Sequence, residues 1–581
     1  MLSSALFLVL SSVSFVAANG AGQPVRPGDI PGDIANVGNN RYTARMTFGH
    51  DKTQSVNVLL DTGSTDLWIH PAGGMKAEFT STGVTHKITY GGGSYINGMI
   101  GLAEINIAGF TIGKQAFINA SESYHQDLCN DANDVCGLVG LGFDSPKQGI
   151  QHALIAAGKD GASIGKSVLS NIYDANPTMP RLFGLSLSRG GDSAVGADEV
   201  SLAIGQCDPN YDNVRNMPKF PVYPPGALSW HILARGAQVN GQDIDWLAND
   251  ASTPFGHHVI GLDSGTTNIL LPPYIRDAVY SKVPGAALAK NSKLHNSHWS
   301  NDTDVWVIPC DTPVNFTMVF GQVRFNGDSG IDSYIPYHVH PLDMTDMYVK
   351  KGPDGKTYTI CVGSATNGGS ITSGKTDGLF GASFMRNVYS VFSFGDTINN
   401  TSPNGAPPYI QLLSKTNSAE WAAGDFAAVR GPNVAMSTRN APELAPTDLI
   451  MLFDGKAPAM TGPSTSGSTP SRPNPGSGSS SGSQSCPTNF KNAAALSESS
   501  MGGPSSSMDK FIPVIVGLLV ANLVVGLVVV AFSVLRYIRE RRSVGVSRSS
   551  SLRTLYAPVM TREKEADALT YEPERPYSDR T

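Results

Sequence analysis

Leu59-Leu60-Asp61-Thr62-Gly63-Ser64 and Gly261-Leu262-Asp263-Ser264-Gly265-Thr266 are two versions of one pattern. Each is an apolar run ending in Asp, then a hydroxyl residue, Gly and a second hydroxyl residue. A single Asp-Ser/Thr-Gly is an ordinary turn. Here both copies close strand-like runs, and each is answered further on by an apolar-apolar-Gly: Leu138-Val139-Gly140, then Leu379-Phe380-Gly381. The chain therefore reads as a diverged internal duplication whose halves each offer one carboxylate, Asp61 and Asp263.

Two such carboxylates suffice for one kind of chemistry. Hydrolysis without a metal or a covalent intermediate needs a water activated by a base while an acid protonates the carbonyl oxygen. Two adjacent carboxyls sharing one proton do both, because like charges resist double ionisation. Gly63 and Gly265 fit loops in which the backbone turns tightly beside the carboxylate. The hydroxyls of Thr62 and Ser264 are placed to tie the two loops together, and those of Ser64 and Thr266 to orient the carboxylates.

Further motifs join these. Thr65-Asp66-Leu67-Trp68 follows the first Asp, and Ile88-Thr89-Tyr90-Gly91-Gly92-Gly93-Ser94 is a Gly-rich segment between strand-like runs. Ser229-Trp230 and Val239-Asn240-Gly241 precede the second Asp, and Ser383-Phe384-Met385-Arg386-Asn387-Val388-Tyr389 follows the second apolar-Gly pair. Over roughly residues 42–415 this set resembles the pepsin-like aspartic protease family, in a fungal-type, membrane-anchored form. The resemblance implies an all-β, bilobal fold with pseudo-two-fold symmetry and aspartic endopeptidase activity on proteins or peptides, with no cofactor and no metal. It makes Asp61 and Asp263 the catalytic pair, Tyr90 the tyrosine of a flap hairpin closing over substrate, and Trp68 its partner through the indole N–H. It pairs Cys310 with Cys361 in the C-terminal lobe. There are departures: Cys136 and Ala382 stand where Asp is common, Gly92 where Thr or Asp is usual, and the flap has an extra residue near Asn97.

The rest of the chain reads as appendages. Of the 581 residues 40% are apolar, ample for two lobes, and a net charge of −6 argues against a nucleic-acid partner. Residues 1–18 read as a signal peptide. Residues 19–41 are a short N-terminal segment whose basic residues are Arg26 and Arg41, too weakly charged for the usual inhibitory pro-segment. The N-terminal lobe is expected at 42–212 and the C-terminal lobe at 213–415, with the junction near Asp208–Pro218. Residues 416–510 read as linker and a Ser/Pro/Gly-rich stalk. Phe511–Leu535 carries no charge and exceeds the about 20 residues a bilayer span needs. Arg536, Arg539, Arg541 and Arg542 follow it, placing 536–581 in the cytosol. The expectation is a monomeric, single-pass type I membrane protein of the secretory pathway, at the cell surface or in a vacuolar or endosomal membrane.

An oxidising lumen suits the cysteines: Cys129 and Cys136 are close enough for a small loop bridge, while Cys207 and Cys486 stay open. Glycosylation acceptors occur at Asn119, Asn301, Asn315, Asn399 and Asn400. Gly327-Asp328-Ser329-Gly330 lacks the Gly and the His segment a serine protease would need and reads as a turn. His338-Val339-His340 lacks a third ligand for a metal. The competing function is a surface binding module on a protease-like fold without turnover. Decay of either Asp motif would mark it, and both motifs are intact.

Overall fold

Short runs of alternating or wholly apolar residues become strands whose buried faces build the core. The computed structural model describes residues 34–457 apart from 124–134, 191–199, 295–303, 322–333, 373, 397–405 and 417. The expected signal peptide, most of the stalk, the apolar span 511–535 and the tail lie outside the described residues. So do Cys129, Cys486, Asn301, Asn399, Asn400 and the Gly327–Gly330 turn. Among the described residues, no helix is long and apolar enough to cross a membrane.

The first lobe holds β1 (Ile34–Val37), β2 (Arg41–Phe48), β3 (Gln54–Asp61), β4 (Leu67–Ile69), β5 (Thr80–Thr89), β6 (Tyr95–Ile107), β7 (Phe110–Ser123) and β8 (Val135–Gly140). They form one eight-stranded sheet in the order β1-β2-β3-β8-β4-β7-β6-β5, closed on itself by a β2–β6 pairing. Helices α1 (Gly149–Ala156), α2 (Gly161–Ile164) and α3 (Val168–Ala175) follow. The sheet begins earlier than the sequence suggested. Ile34–Val37 pairs antiparallel with β2, so part of the expected N-terminal segment belongs to the fold.

The two lobes share a five-stranded sheet. It is built from β9 (Leu182–Ser186), β10 (Ser201–Ile204) and β11 (Phe220–Pro221), with two strands returning from the chain's far side. The second lobe then runs through β12 (His231–Val239), β13 (Gln242–Asp243), β14 (His258–Leu262), β15 (Ile269–Leu271) and α4 (Pro273–Tyr280). Next come β16 (Ala287–Ala289), β17 (Val305–Val307), β18 (Phe316–Gly321), β19 (Tyr334–Val339), β20 (Thr345–Lys351), β21 (Thr357–Gly363), β22 (Thr366–Asn367), β23 (Gly378–Phe380) and α5 (Ala382–Met385). The returning strands are β24 (Val388–Ser393) and β25 (Tyr409–Ser414), which extend the shared sheet in the order β10-β9-β24-β25-β11. Trp230 anchors the junction: it packs edge-on against Phe392 and Phe394, and its indole N–H donates to Leu141 O of the first lobe at 3.0 Å.

The duplication seen in the sequence is a duplication of topology. β3 runs parallel to β8 with Leu60 opposite Val139 and Asp61 opposite Gly140, and β14 runs parallel to β23 with Leu262 opposite Phe380. In each lobe the strand after the Asp loop, β4 or β15, then pairs antiparallel with that same partner. The follower glycines are dictated by this packing. A Cβ on Gly140 would lie 2.2 Å from the Thr65 carbonyl carbon, and one on Gly381 2.2 Å from the Thr266 carbonyl oxygen.

The second lobe does not close at residue 415. Residues read as the start of a linker form α6 (Ala419–Ser437) and α7 (Pro446–Asp454). Leu449, Ile450 and Phe453 bury themselves against Leu294, Val307, Tyr358 and Ile360, while Glu443 accepts from Cys310 N at 2.8 Å. The Ala- and Pro-bearing composition hid this, because the apolar stripe of α7 is short and gains meaning only against the sheet it covers.

Candidate active site

The sequence puts an Asp at the end of each of two buried strands, and the topology brings those ends together. Asp61 and Asp263 are both 0% exposed and hydrogen-bond to each other through their carboxyls. Gly63 N donates to Asp61 Oδ1 and Gly265 N to Asp263 Oδ1, each at 2.9 Å. Ser64 Oγ donates to Asp61 Oδ2, and Thr266 Oγ1 to Asp263 Oδ2 at 2.6 Å. Each carboxylate is thus held by a backbone N–H and a hydroxyl from its own loop, in matching positions.

The other two hydroxyls bind the loops to one another. Ser264 N donates to Thr62 Oγ1 at 2.9 Å and Thr62 N to Ser264 Oγ at 3.1 Å. The hydroxyls themselves donate across the pseudo-dyad, Thr62 Oγ1 to Leu262 O at 2.9 Å and Ser264 Oγ to Leu60 O at 2.7 Å. The glycines sit in the tight turns beside the carboxylates that the sequence suggested, and the reason they are Gly is close approach. Neither Gly63 nor Gly265 has positive φ. Instead, a Cβ on Gly63 would lie 2.6 Å from Asp263 Cγ, and a Cβ on Gly265 2.3 Å from Asp61 Oδ1. Each glycine is the floor on which the opposite carboxylate rests.

The electrostatics follow from this geometry. Burial pushes the Asp61 carboxyl well above its ordinary value, and the neighbouring Asp263 charge adds to the shift. Burial also raises Asp263, against hydrogen bonds from Asp61, Thr266 and the Gly265 and Thr266 N–H groups. Two carboxyls that interact this directly titrate as a unit. A pair sharing one proton would leave one group able to take a proton from water and the other able to give one.

Across the first lobe, β5 and β6 form a hairpin with Ile88 opposite Ile96 and Thr89 opposite Tyr95. Tyr90 stands at its turn, where Tyr90 N donates to Ser94 O at 2.8 Å and Gly93 takes a φ of +84°. The Trp68 indole N–H donates to Tyr90 Oη at 2.7 Å. Tyr90 is only 1% exposed, packed in one cluster with Trp68, Ile88, Ile96, Ile100 and Ile150. It therefore serves the core as well as lying within electrostatic reach of Asp61, whose charge helps hold its phenol well above the usual range after burial.

The sequence reading quoted Asp66 within Thr65–Trp68 but gave it no role of its own. Its Oδ1 accepts from Ile150 N at 2.9 Å at the start of α1, and Oδ2 is buried with no hydrogen-bond partner among the described residues. Burial raises its pKa to about 6, helped by the Asp144 charge. The motif does not reveal its partner, because Ile150 comes from the other end of the lobe. Cys310 and Cys361 are bonded, with Cα atoms 5.2 Å apart. Cys136 is also disulfide-bonded, and Cys207 is a buried free thiol. Asn119 and Asn315 are half-buried, the former within β7. His338 Nδ1 meets Thr317 Oγ1 at 2.8 Å and His340 Nε2 meets Asp425 Oδ2 at 3.2 Å. Among the described residues, no three His, Cys, Asp or Glu side chains are grouped to hold a metal.

Residues 41–400 match the family model described as eukaryotic aspartyl protease. The chain belongs to that family. The protease is 22% identical to the major aspartyl peptidase 1 of Cryptococcus neoformans over 369 residues, covering 61% of this chain and 66% of the relative. It is 23% identical to an aspartic protease of Phaffia rhodozyma, covering 61% and 74% of the two chains. The aspartic-type endopeptidase ctsD of Aspergillus fumigatus is also 23% identical, with 66% and 70% covered.

Proposed function

We propose that the protease hydrolyses internal peptide bonds of proteins or peptides with a water activated between Asp61 and Asp263. The observation that carries this is the symmetric fixation of two wholly buried, mutually hydrogen-bonded carboxyls by Gly63, Ser64, Gly265 and Thr266. Preorganised groups of this kind need no rearrangement when charge develops on the attacked carbonyl. The substrate's scissile carbonyl would sit over the dyad beneath the Tyr90 hairpin, which excludes water as it closes.

The reading extends to location. The uncharged run 511–535 and the arginines after it support a single membrane span with a cytosolic tail. The Ser/Pro/Gly-rich stretch before it supports a stalk holding the catalytic lobes on the lumenal or extracellular side. Cleavage of an internally quenched peptide at acid pH tests the activity. It should be abolished by a pepstatin-type inhibitor and, more than about a thousandfold, by Asp61→Asn or Asp263→Asn. A properly folded wild type that binds peptides without cutting them would make the protein a binding module instead. Protease added to sealed right-side-out vesicles tests the topology. It should release the lobes while a C-terminal epitope stays protected, and early loss of that epitope would reverse the orientation.

A further inference from the structure

Asp343, in a short 3-10 turn (Pro341–Asp343), is 1% exposed and lies outside the dyad. Donors from separate elements converge on it. Arg386 Nε donates to Oδ1 at 2.6 Å, while Asn387 Nδ2 at 2.9 Å and Arg189 Nε at 3.0 Å donate to Oδ2. Asn387 Oδ1 in turn accepts from His340 N at 2.9 Å, Arg189 Nη2 at 3.0 Å and Thr416 Oγ1 at 2.7 Å. Burial alone would raise the Asp343 carboxyl, but the Arg189 and Arg386 guanidiniums outweigh it and hold the group well below the usual carboxylate range. A buried carboxylate with two guanidiniums and an amide on it is a rigid joint.

The joint grips the far end of α5, the helix that packs against the Asp263 loop. Arg386 and Asn387 follow α5 directly, and the start of α5 is docked on that loop. Gly381 N donates to Asn268 O at 3.0 Å, Ala382 N to Thr266 O at 2.7 Å and Ser383 N to Thr267 O at 2.9 Å. Asn387 Nδ2 also donates to Ser383 O at 2.9 Å, fixing the helical turn from behind. The first lobe is drawn in as well: Arg386 Nη1 donates to Asn39 O at 2.6 Å, and Thr267 Oγ1 to Asn40 O at 3.2 Å.

We infer that Asp343 is a positioning residue for the Asp263 half of the dyad, acting through Asn387, Arg386 and α5 on the loop Thr266–Asn268. This rests on the dyad reading above. A displacement of about 1 Å at a reacting group can cost about a hundredfold in rate, so loosening the joint should appear in kcat before it appears in substrate affinity.

The test uses the full chain as wild type, Asp343→Asn and Asn387→Ala, with active sites titrated by a pepstatin-type inhibitor and turnover read well below each thermal midpoint. Per titrated site, kcat should fall about tenfold or more in both variants with KM nearly unchanged. Asp343→Asn takes the carboxylate charge from the buried Arg386 and the half-buried Arg189. If it does not fold, Asn387→Ala decides alone, because it leaves Asp343 with both guanidiniums. A lowered thermal midpoint with kcat per site within about twofold of wild type would reduce Asp343 to a stability element and overturn the inference. Absence of turnover in the wild type would instead overturn the dyad reading itself, and this inference with it.

Discussion

Replacing Gly265 by Ala is the sharpest test of how the site is held together. The added methyl carbon would start 2.3 Å from Asp61 Oδ1 and 3.1 Å from Asp263 Oδ1. Carbon and oxygen settle at about 3.5 Å, so roughly 1 Å of movement must come from the carboxylate or its loop. The loops cannot absorb it freely, because Thr62 and Ser264 tie them at 2.7 to 3.1 Å through four hydrogen bonds. Overpacking of this kind costs about 1–3 kcal/mol of stability, a few degrees in thermal midpoint, whereas a 1 Å misplacement of a reacting group costs about a hundredfold in rate. Gly265→Ala should therefore fold and lose about two orders of magnitude in kcat. Gly113→Ala, where nothing lies within 4 Å of the new methyl, should match the wild type. Steady-state peptide cleavage with a parallel thermal melt reads both quantities. A Gly265→Ala enzyme within about threefold of wild-type kcat would refute the argument that this glycine is required by the opposite carboxylate.

Three other outcomes are expected. Tyr90→Phe should lower turnover and cost about 1–3 kcal/mol, because it takes the Tyr90 hydroxyl from the buried Trp68 indole N–H; an unchanged melt would show that this hydrogen bond does not stabilise the fold. Asp66 has a folded pKa of about 6, raised by burial above its unfolded value, so the folded state binds that proton more tightly. The stability it contributes is fully present below about pH 4 and lost as pH rises through about 6, amounting to about 3 kcal/mol. Denaturant melts from pH 4 to 7 should show a smaller decline in Asp66→Asn than in the wild type, and parallel declines would exclude Asp66 as a source. Phe453→Ala should destabilise the protease by about 3–5 kcal/mol, since the ring is buried against β21, and an effect below about 0.5 kcal/mol would return α7 to the status of a linker.

The sequence determined the chemistry and the duplication. A strand ending in Asp-hydroxyl-Gly-hydroxyl is a local pattern, and its second copy with a matching apolar-apolar-Gly follower is visible without coordinates. So are the Tyr90 hairpin, signalled by Gly91–Gly93, and the strand character of Tyr42–Phe48 and Val56–Leu60. Tertiary structure decided whatever depends on what a residue meets across the fold. Gly63 and Gly265 look like turn glycines in sequence, yet they are small because a carboxylate from the other lobe lies against them. Asp343 and Arg189 have no pattern of their own, and the motif around Asn387 does not say what that residue grips, because their convergence is made by chain crossings between elements far apart in sequence. The segment after Ser414 looked like linker because a short apolar stripe after an Ala- and Pro-bearing stretch has no partner until the four-stranded sheet β16-β17-β21-β20 is built. Periodicity records which face of an element is buried, but only the packed lobes specify what that face is buried against.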